Sequence, residues 1–305
     1  MSRLDEALEE YLALRRRLGF KLEQDGRVLP TFVAYLNARR TSIITNAAAV
    51  HWAQETPCDN LAWHARRLGM VRAFARHRCA TDSRTEVPPA SLIPFRRRRV
   101  TPHIYSDTEV AALMRAAREV RHPMTSRTYS TLIGLLVVTG LRVGEAIRLD
   151  DADIDWSREL LTVRNSKFGK SRLVPLHAST AAALRTYADG RQQLVRHRRS
   201  PSFFMSVLGT RLFYGNVAKK FRELAQSVGL LTHRGKPPGL HHLRHTFAVR
   251  TVRDWYVEGV ETERRIPHLS TFLGHVGPSS TYWYLTATPE LLTLASARAS
   301  RMVRL

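Results

Sequence analysis

Acidic residues are scarce in this chain of 305 residues: 26 Asp and Glu stand against 48 Lys and Arg, for a formal charge of +22. A GC-rich genome would enrich arginine but would not strip out carboxylates to this extent. The imbalance points to a polyanionic partner, with nucleic acid foremost. Cysteine is nearly absent. Cys58 and Cys79 have no CxxC spacing, which excludes a disulfide framework and fits free thiols in a reducing cytoplasm. No run approaches the roughly 18 apolar residues of a membrane helix. The opening MSRLDEALEEYLALRRR carries acidic residues where a signal peptide has its apolar core, so neither insertion nor export is expected. Internal repeats are lacking, and so is low-complexity sequence beyond the arginine blocks at 96–99 and 196–199. There is no P-loop. His241 and His245 lie four apart on one helix face but lack the Glu of an HExxH motif and an evident third ligand, so a metal is not expected. What is present is a hydrophobic fraction of 44%, enough for two domains with cores of their own.

Over residues 4–18, Leu4, Leu8, Tyr11, Leu12, Leu14 and Leu18 recur at helical spacing between charges. Further helices are predicted around Val28–Asn37, around Ala47–Gln54 and, longer, over Leu61–Ala80. In the last of these Leu61, Ala65, Leu68, Val71 and Phe74 form one side, with Arg66, Arg67, Arg76 and Arg78 interleaved. Such charges are usually a solvated face. Here 18 basic against 10 acidic residues over 1–99 favours phosphate contacts by Arg66, Arg67 and Arg76. Residues 1–85 thus read as an all-α, DNA-binding domain.

Residues 86–103, EVPPASLIPFRRRRVTPH, break every periodicity with four prolines and then present Arg96, Arg97, Arg98 and Arg99 as a block. Like charges at that density repel and stay extended while neutralising phosphates well. A linker crossing a DNA backbone is expected, with a bare tether as the alternative.

A second domain, 104–305, opens with Ser106-x-x-Glu109 as a capping box before a helix through Arg118. Thr128–Val138 is apolar nearly all round, hence a buried helix, and Gly140 suits the left-handed position that ends it. Leu160–Arg164 and Ser171–Leu176 read as strands around a hairpin turn containing Lys167 and Lys170. Helices follow at about 178–196 and 215–228. The fold class is therefore mainly α with a small antiparallel sheet.

The chemistry gathers in two boxes. Thr139-Gly140-Leu141-Arg142-x-x-Glu145 is the first; the second runs His241-x-x-Arg244, then Leu273-Gly274-His275, then Tyr284. Phosphodiester cleavage without metal needs a nucleophile, cationic clamps for a pentavalent phosphorane and a proton donor for the leaving oxygen. Together the boxes resemble those of the tyrosine recombinases, also called the phage-integrase family, over roughly residues 106–290.

The resemblance implies an N-terminal SAM-like core-binding domain and a catalytic domain that clamp a duplex between them. It implies that Arg142 and Arg244 hold the non-bridging oxygens of the scissile phosphate, as suits a planar fork that never loses its charge, with a structural salt bridge to Glu145 or Asp153 as the alternative for Arg142. His241 would assist proton transfer or phosphate orientation, His275 would hydrogen-bond a phosphate oxygen, and Tyr284 would be the nucleophile, with Tyr282 as rival. Aligned on Arg172-Leu173-Val174-Pro175-Leu176, Lys167 falls on the family's mobile lysine, the general acid. Lys170 competes, and Ser166 and Phe168 stand where small glycines are usual. His242 and His245 match no motif position and are expected on the helix surface or in the core.

The implied activity is site-specific cleavage and rejoining of double-stranded DNA through a 3′-phosphotyrosyl link, with no cofactor. A homotetramer on synapsed DNA, or an assembly with sister recombinases, would carry it out, with a terminal helix after 289 docking on a neighbour or, as the alternative, packing on its own subunit. A nucleoid-associated, cytoplasmic location follows. The rivals are a type IB topoisomerase-like relaxing activity and a non-catalytic DNA-binding protein of the same fold.

Overall fold

The computed structural model describes residues 2–57, 59–95, 101–164, 169, 171–195, 197–232, 234–275, 277, 279–286, 291–293 and 296, and of Ser279, Ser280, Leu285 and Thr286 the backbone alone. The expected Arg96–Arg99 contacts, both turn lysines, Lys167 and Lys170, and most of the terminal helix lie outside the described residues. The chain divides into two compact units, Met1–Arg99 and Val100–Leu305. Among the described residues no helix is long and apolar enough to cross a membrane.

The first unit is built from α1 (Arg3–Arg17), α2 (Asp25–Ala38), α3 (Asn46–Gln54) and α4 (Leu61–Arg78). Side chains cap three of these helices: the Ser2 hydroxyl and Asp5 carboxylate form a capping box on α1, Thr45 caps α3 and Asn60 caps α4. Leu4, Leu29, Phe32, Val33, Leu36, Leu68, Val71 and Phe74 are fully buried. Each contributes roughly 1.5–3 kcal/mol by leaving water.

The segment expected to begin a linker at residue 86 is in fact packed on this unit as far as Ile93. Ile93 is buried in the helical core, the Glu86 amide donates to the Ile44 carbonyl at 2.8 Å, and Arg72 donates to the carbonyls of Pro88 and Pro89 at 2.5 and 3.2 Å. Prolines remove helix periodicity without preventing a chain from packing. Their free carbonyls are the acceptors that Arg72 takes up.

The second unit runs α5 (Asp107–Arg118), α6 (Pro123–Thr139), α7 (Val143–Ala146), β1 (Ile154–Asp155), β2 (Leu160–Val163), β3 (Arg172–Pro175), α8 (Ala178–Leu194), α9 (Tyr214–Ser227), α10 (His241–Val257), α11 (Thr262–Leu273) and α12 (Ser279–Tyr282), then a 3-10 turn, Trp283–Thr286. The protein is mainly α with a small sheet of order β1-β2-β3, antiparallel throughout. Val163 pairs with Arg172, which makes Arg172 the first residue of β3 after the turn. The Ser106/Glu109 capping box forms, and α6 is sunk in the core through Leu132, Ile133, Leu135 and Leu136. β1, only two residues long, has too little sequence to show a period of its own.

Gly140 ends α6 at φ 59° and ψ 19°. A Cβ there would stand 2.5 Å from Phe247 of α10 and 3.0 Å from Leu273 of α11, so this glycine lets three helices meet at one point.

Candidate active site

Three helix ends and one strand converge where α6 turns into α7. Arg142 sits at the N-cap of α7 and Glu145 in its first turn. Glu145 has a side chain 1% exposed, and its carboxylate accepts four hydrogen bonds. Two come from Arg142, from the backbone amide at 3.1 Å and from Nη1 at 2.7 Å. Two come from Arg172, from Nη1 at 3.2 Å and from Nη2 at 2.8 Å. Burial alone would raise this carboxyl, but Arg172, and then Arg142, outweigh it and hold it at about 2.

The other anchor is the C-terminal end of α11, where a helix leaves its last carbonyls without partners and carries partial negative charge. Gly274 closes it in the left-handed conformation at φ 67°, and the His275 amide reaches back to the Ser270 carbonyl at 2.9 Å. Three consecutive carbonyls then accept from three arginines of three different elements. Phe272 takes Arg172 Nε at 2.7 Å, Leu273 takes Arg244 Nη2 at 2.6 Å, and Gly274 takes Arg142 Nη2 at 3.1 Å. Arg244 is 2% exposed and also donates to the Gly140 carbonyl at 2.8 Å. Burial, and then the charge of Arg142, lower its guanidinium to about 10, still cationic at neutral pH.

Arg142, Arg244 and His275, far apart in sequence, are thus brought together, and His241 lies one helical turn before Arg244 on α10. Burial, and then the charge of Arg244, press both His241 and His275 down to about 4, so that both imidazoles are neutral at pH 7. His275 Nδ1 lies 2.7 Å from the Thr281 hydroxyl.

Tyr284, in the 3-10 turn, is 2% exposed, against 44% for Tyr282. Its ring stacks on His275 at 6.2 Å and packs among Val249, Ile266, Leu269 and Leu273. Burial raises the phenol, and the charge and hydrogen bond of Arg244 oppose that rise.

His245, expected as a bystander, closes the cluster. Its ring lies 4.6 Å from His241, 5.2 Å from Trp283 and 5.5 Å from Tyr284. Its place one turn after His241 is the signal that could have found it. Arg172 was missed too, because its role depends on a contact 100 residues away. Arg67, expected on phosphate, is instead inside the first unit: it is 7% exposed, stacks over Trp52 at 3.8 Å and donates to the Glu55 carbonyl. Arg66 and Arg76 are exposed on α4.

Residues 104–290 match the model of the Phage integrase family. The chain is 45% identical over 311 residues to "Putative integrase/recombinase y4rB" of Sinorhizobium fredii (strain NBRC 101917 / NGR234), covering 99% of this chain and 98% of that protein. It is 32% identical over 234 residues to "Tyrosine recombinase XerD" of Mycobacterium tuberculosis (strain ATCC 25618 / H37Rv), covering 75% and 70%. The fold is similar to that of a chain in the solved structure of a lambda integrase tetramer bound to a Holliday junction, with a TM-score of 0.63 at 19% identity, over 92% of this chain and 76% of that one.

Proposed function

The chain belongs to the phage integrase family and is a site-specific tyrosine recombinase acting on DNA, and from that premise we propose how its residues divide the chemistry. Arg142 and Arg244 bind the non-bridging oxygens of the scissile phosphate. His275 donates a further hydrogen bond there. The Tyr284 oxygen attacks phosphorus, the bond to the 5′ oxygen breaks, and a 3′-phosphotyrosyl link and a free 5′ hydroxyl result. Lys167 supplies the proton that the departing oxygen takes up. His241, neutral with a lone pair available, can accept the proton that the phenol gives up. Rejoining is the same sequence reversed, with a partner strand's 5′ hydroxyl attacking the link. The two guanidinium groups stabilise the charge that builds on the phosphorane.

The observation that carries this reading is the seating of Arg142 and Arg244 on neighbouring carbonyls beside His275, with the Tyr284 ring stacked on that histidine. Exposed Arg66 and Arg76, with the block Arg96–Arg99 and Lys170, would hold the flanking backbone. A homotetramer on synapsed DNA, or a mixed assembly with sister recombinases, would perform the exchange.

The test is covalent capture. A pool of nicked duplexes of randomised sequence, sequenced after adduct formation, supplies the site. Tyr284→Phe should bind that site yet form no adduct on a denaturing gel, whereas Tyr282→Phe should form it. The reverse pattern would move the nucleophile to Tyr282, and no adduct from the unaltered chain would remove the recombinase reading.

A further inference from the structure

We propose that Arg172 is a positioning residue for the phosphate-binding arginines: it ties Glu145 to the 272–274 turn and so aims Arg142 at the phosphate. The inference rests on the division of roles given above. Each of the three guanidinium nitrogens of Arg172 is committed to protein, two to Glu145 and one to the Phe272 carbonyl. These bonds place it among the supports on which Arg142 rests. Arg142 rests on the same two supports, Glu145 and the Gly274 carbonyl. Arg172 is what fixes the distance between those supports, because it alone of the two joins them from a side chain that is 10% exposed. Arg142 is 28% exposed and so open to a ligand.

Gly274 confirms how close this seating is. A Cβ there would stand 2.8 Å from Arg172 Nη1 and 3.0 Å from Cζ, so the guanidinium lies flat on the turn that presents His275. The charge count gives the arrangement its sense. Three guanidinium groups stand around one carboxylate, which Arg142 and Arg172 bond and Arg244 does not, and this leaves two net positive charges for a phosphate whose negative charge grows during attack. Arg172 neutralises Glu145, so that the carboxylate does not draw Arg142 wholly to itself. A lysine at 172 would keep a charge on Glu145 but could not serve both carboxylate oxygens and the Phe272 carbonyl from a single ammonium.

Single-turnover adduct formation on the nicked site, together with gel-shift affinity, tests this. Arg172→Lys should bind the site within about twofold of the unaltered chain yet form adduct some 10- to 100-fold more slowly, the scale of a catalytic group displaced by about an ångström. Arg172→Ala, introduced into Arg142→Ala, should slow that variant by less than about twofold, since the group it positions is already gone. Unaltered rates in Arg172→Lys, or a double variant slowed by the product of the two single effects, would overturn the proposal. Loss of affinity in proportion to rate would do so as well, by showing a merely structural role. If the unaltered chain itself forms no adduct, the recombinase reading falls first and this inference with it.

Discussion

Replacing Glu145 by glutamine removes one charge and almost no volume, so its effect can be worked out from the site. The carboxyl is held at about 2 in the folded chain against an ordinary 4.5, which corresponds to roughly 3 kcal/mol of stability at neutral pH. Because the folded value is the lower one, this contribution is complete above pH 4.5 and is lost as pH falls toward 2. By pH 3.5 the unfolded chain has taken up most of a proton and the folded one hardly any, and roughly 1 kcal/mol has gone. Glu145→Gln should therefore be less stable at pH 6 by about 3 kcal/mol, a fall in Tm of roughly 6–12 °C for a unit of this size. The gap should close by roughly 1 kcal/mol at pH 3.5. Urea denaturation of both proteins at the two pH values measures the gap, and every other carboxylate cancels in the comparison. Stability curves that stay parallel from pH 6 to 3.5 would refute the claim that two arginines hold this carboxylate ionised.

Arg67→Ala should lower the stability of the first unit by about 2 kcal/mol or more through the lost stacking on Trp52 and the freed Glu55 carbonyl, and leave the salt dependence of DNA binding unchanged. Arg66→Ala and Arg76→Ala should do the opposite, each flattening the slope of log K against log salt by about 0.9. Gly140→Ala should cost about 2–5 kcal/mol, from the positive φ and from the contact with Phe247, seen as a lowered urea midpoint. With sulfur in place of the scissile 5′ bridging oxygen, Lys167→Ala should cleave nearly as fast as the unaltered chain, because a thiolate leaves without a proton. On ordinary DNA it should lag by about 10²- to 10⁴-fold. Sulfur rescue of Lys170→Ala instead would transfer the acid role.

The helices were legible because their apolar spacing and their caps are local: Ser106 with Glu109, or Gly140 after an apolar run, can be read within a few residues. What escaped the sequence depends on partners far along the chain. Arg67 looks like any exposed arginine until Trp52 supplies a face to stack on, and the prolines after Glu86 read as a tether until Arg72 takes their carbonyls. Arg142, Arg244, His275 and Tyr284 could be singled out because a motif records their company. Arg172 sits in the run RLVPL, where it looks like a strand residue, and nothing nearby announces Glu145 or Phe272. His245 matches no motif position and is expected from sequence alone on the helix surface or in the core; its spacing from His241 is local, but its contact with Tyr284, 39 residues on, is visible only in the fold.

The end of α11 also bears on the order in which the molecule acquires its parts. The three arginines seated there come from 132, 100 and 29 residues away, and such remote pairings form late, after local helices have already assembled. A partly folded chain would hold its positive charges scattered and could embrace DNA without being able to break it. Brief local opening at that helix end, far short of global unfolding, would have the same effect. In a DNA recombinase, the capacity to cut is thereby reserved for molecules that have completed their fold.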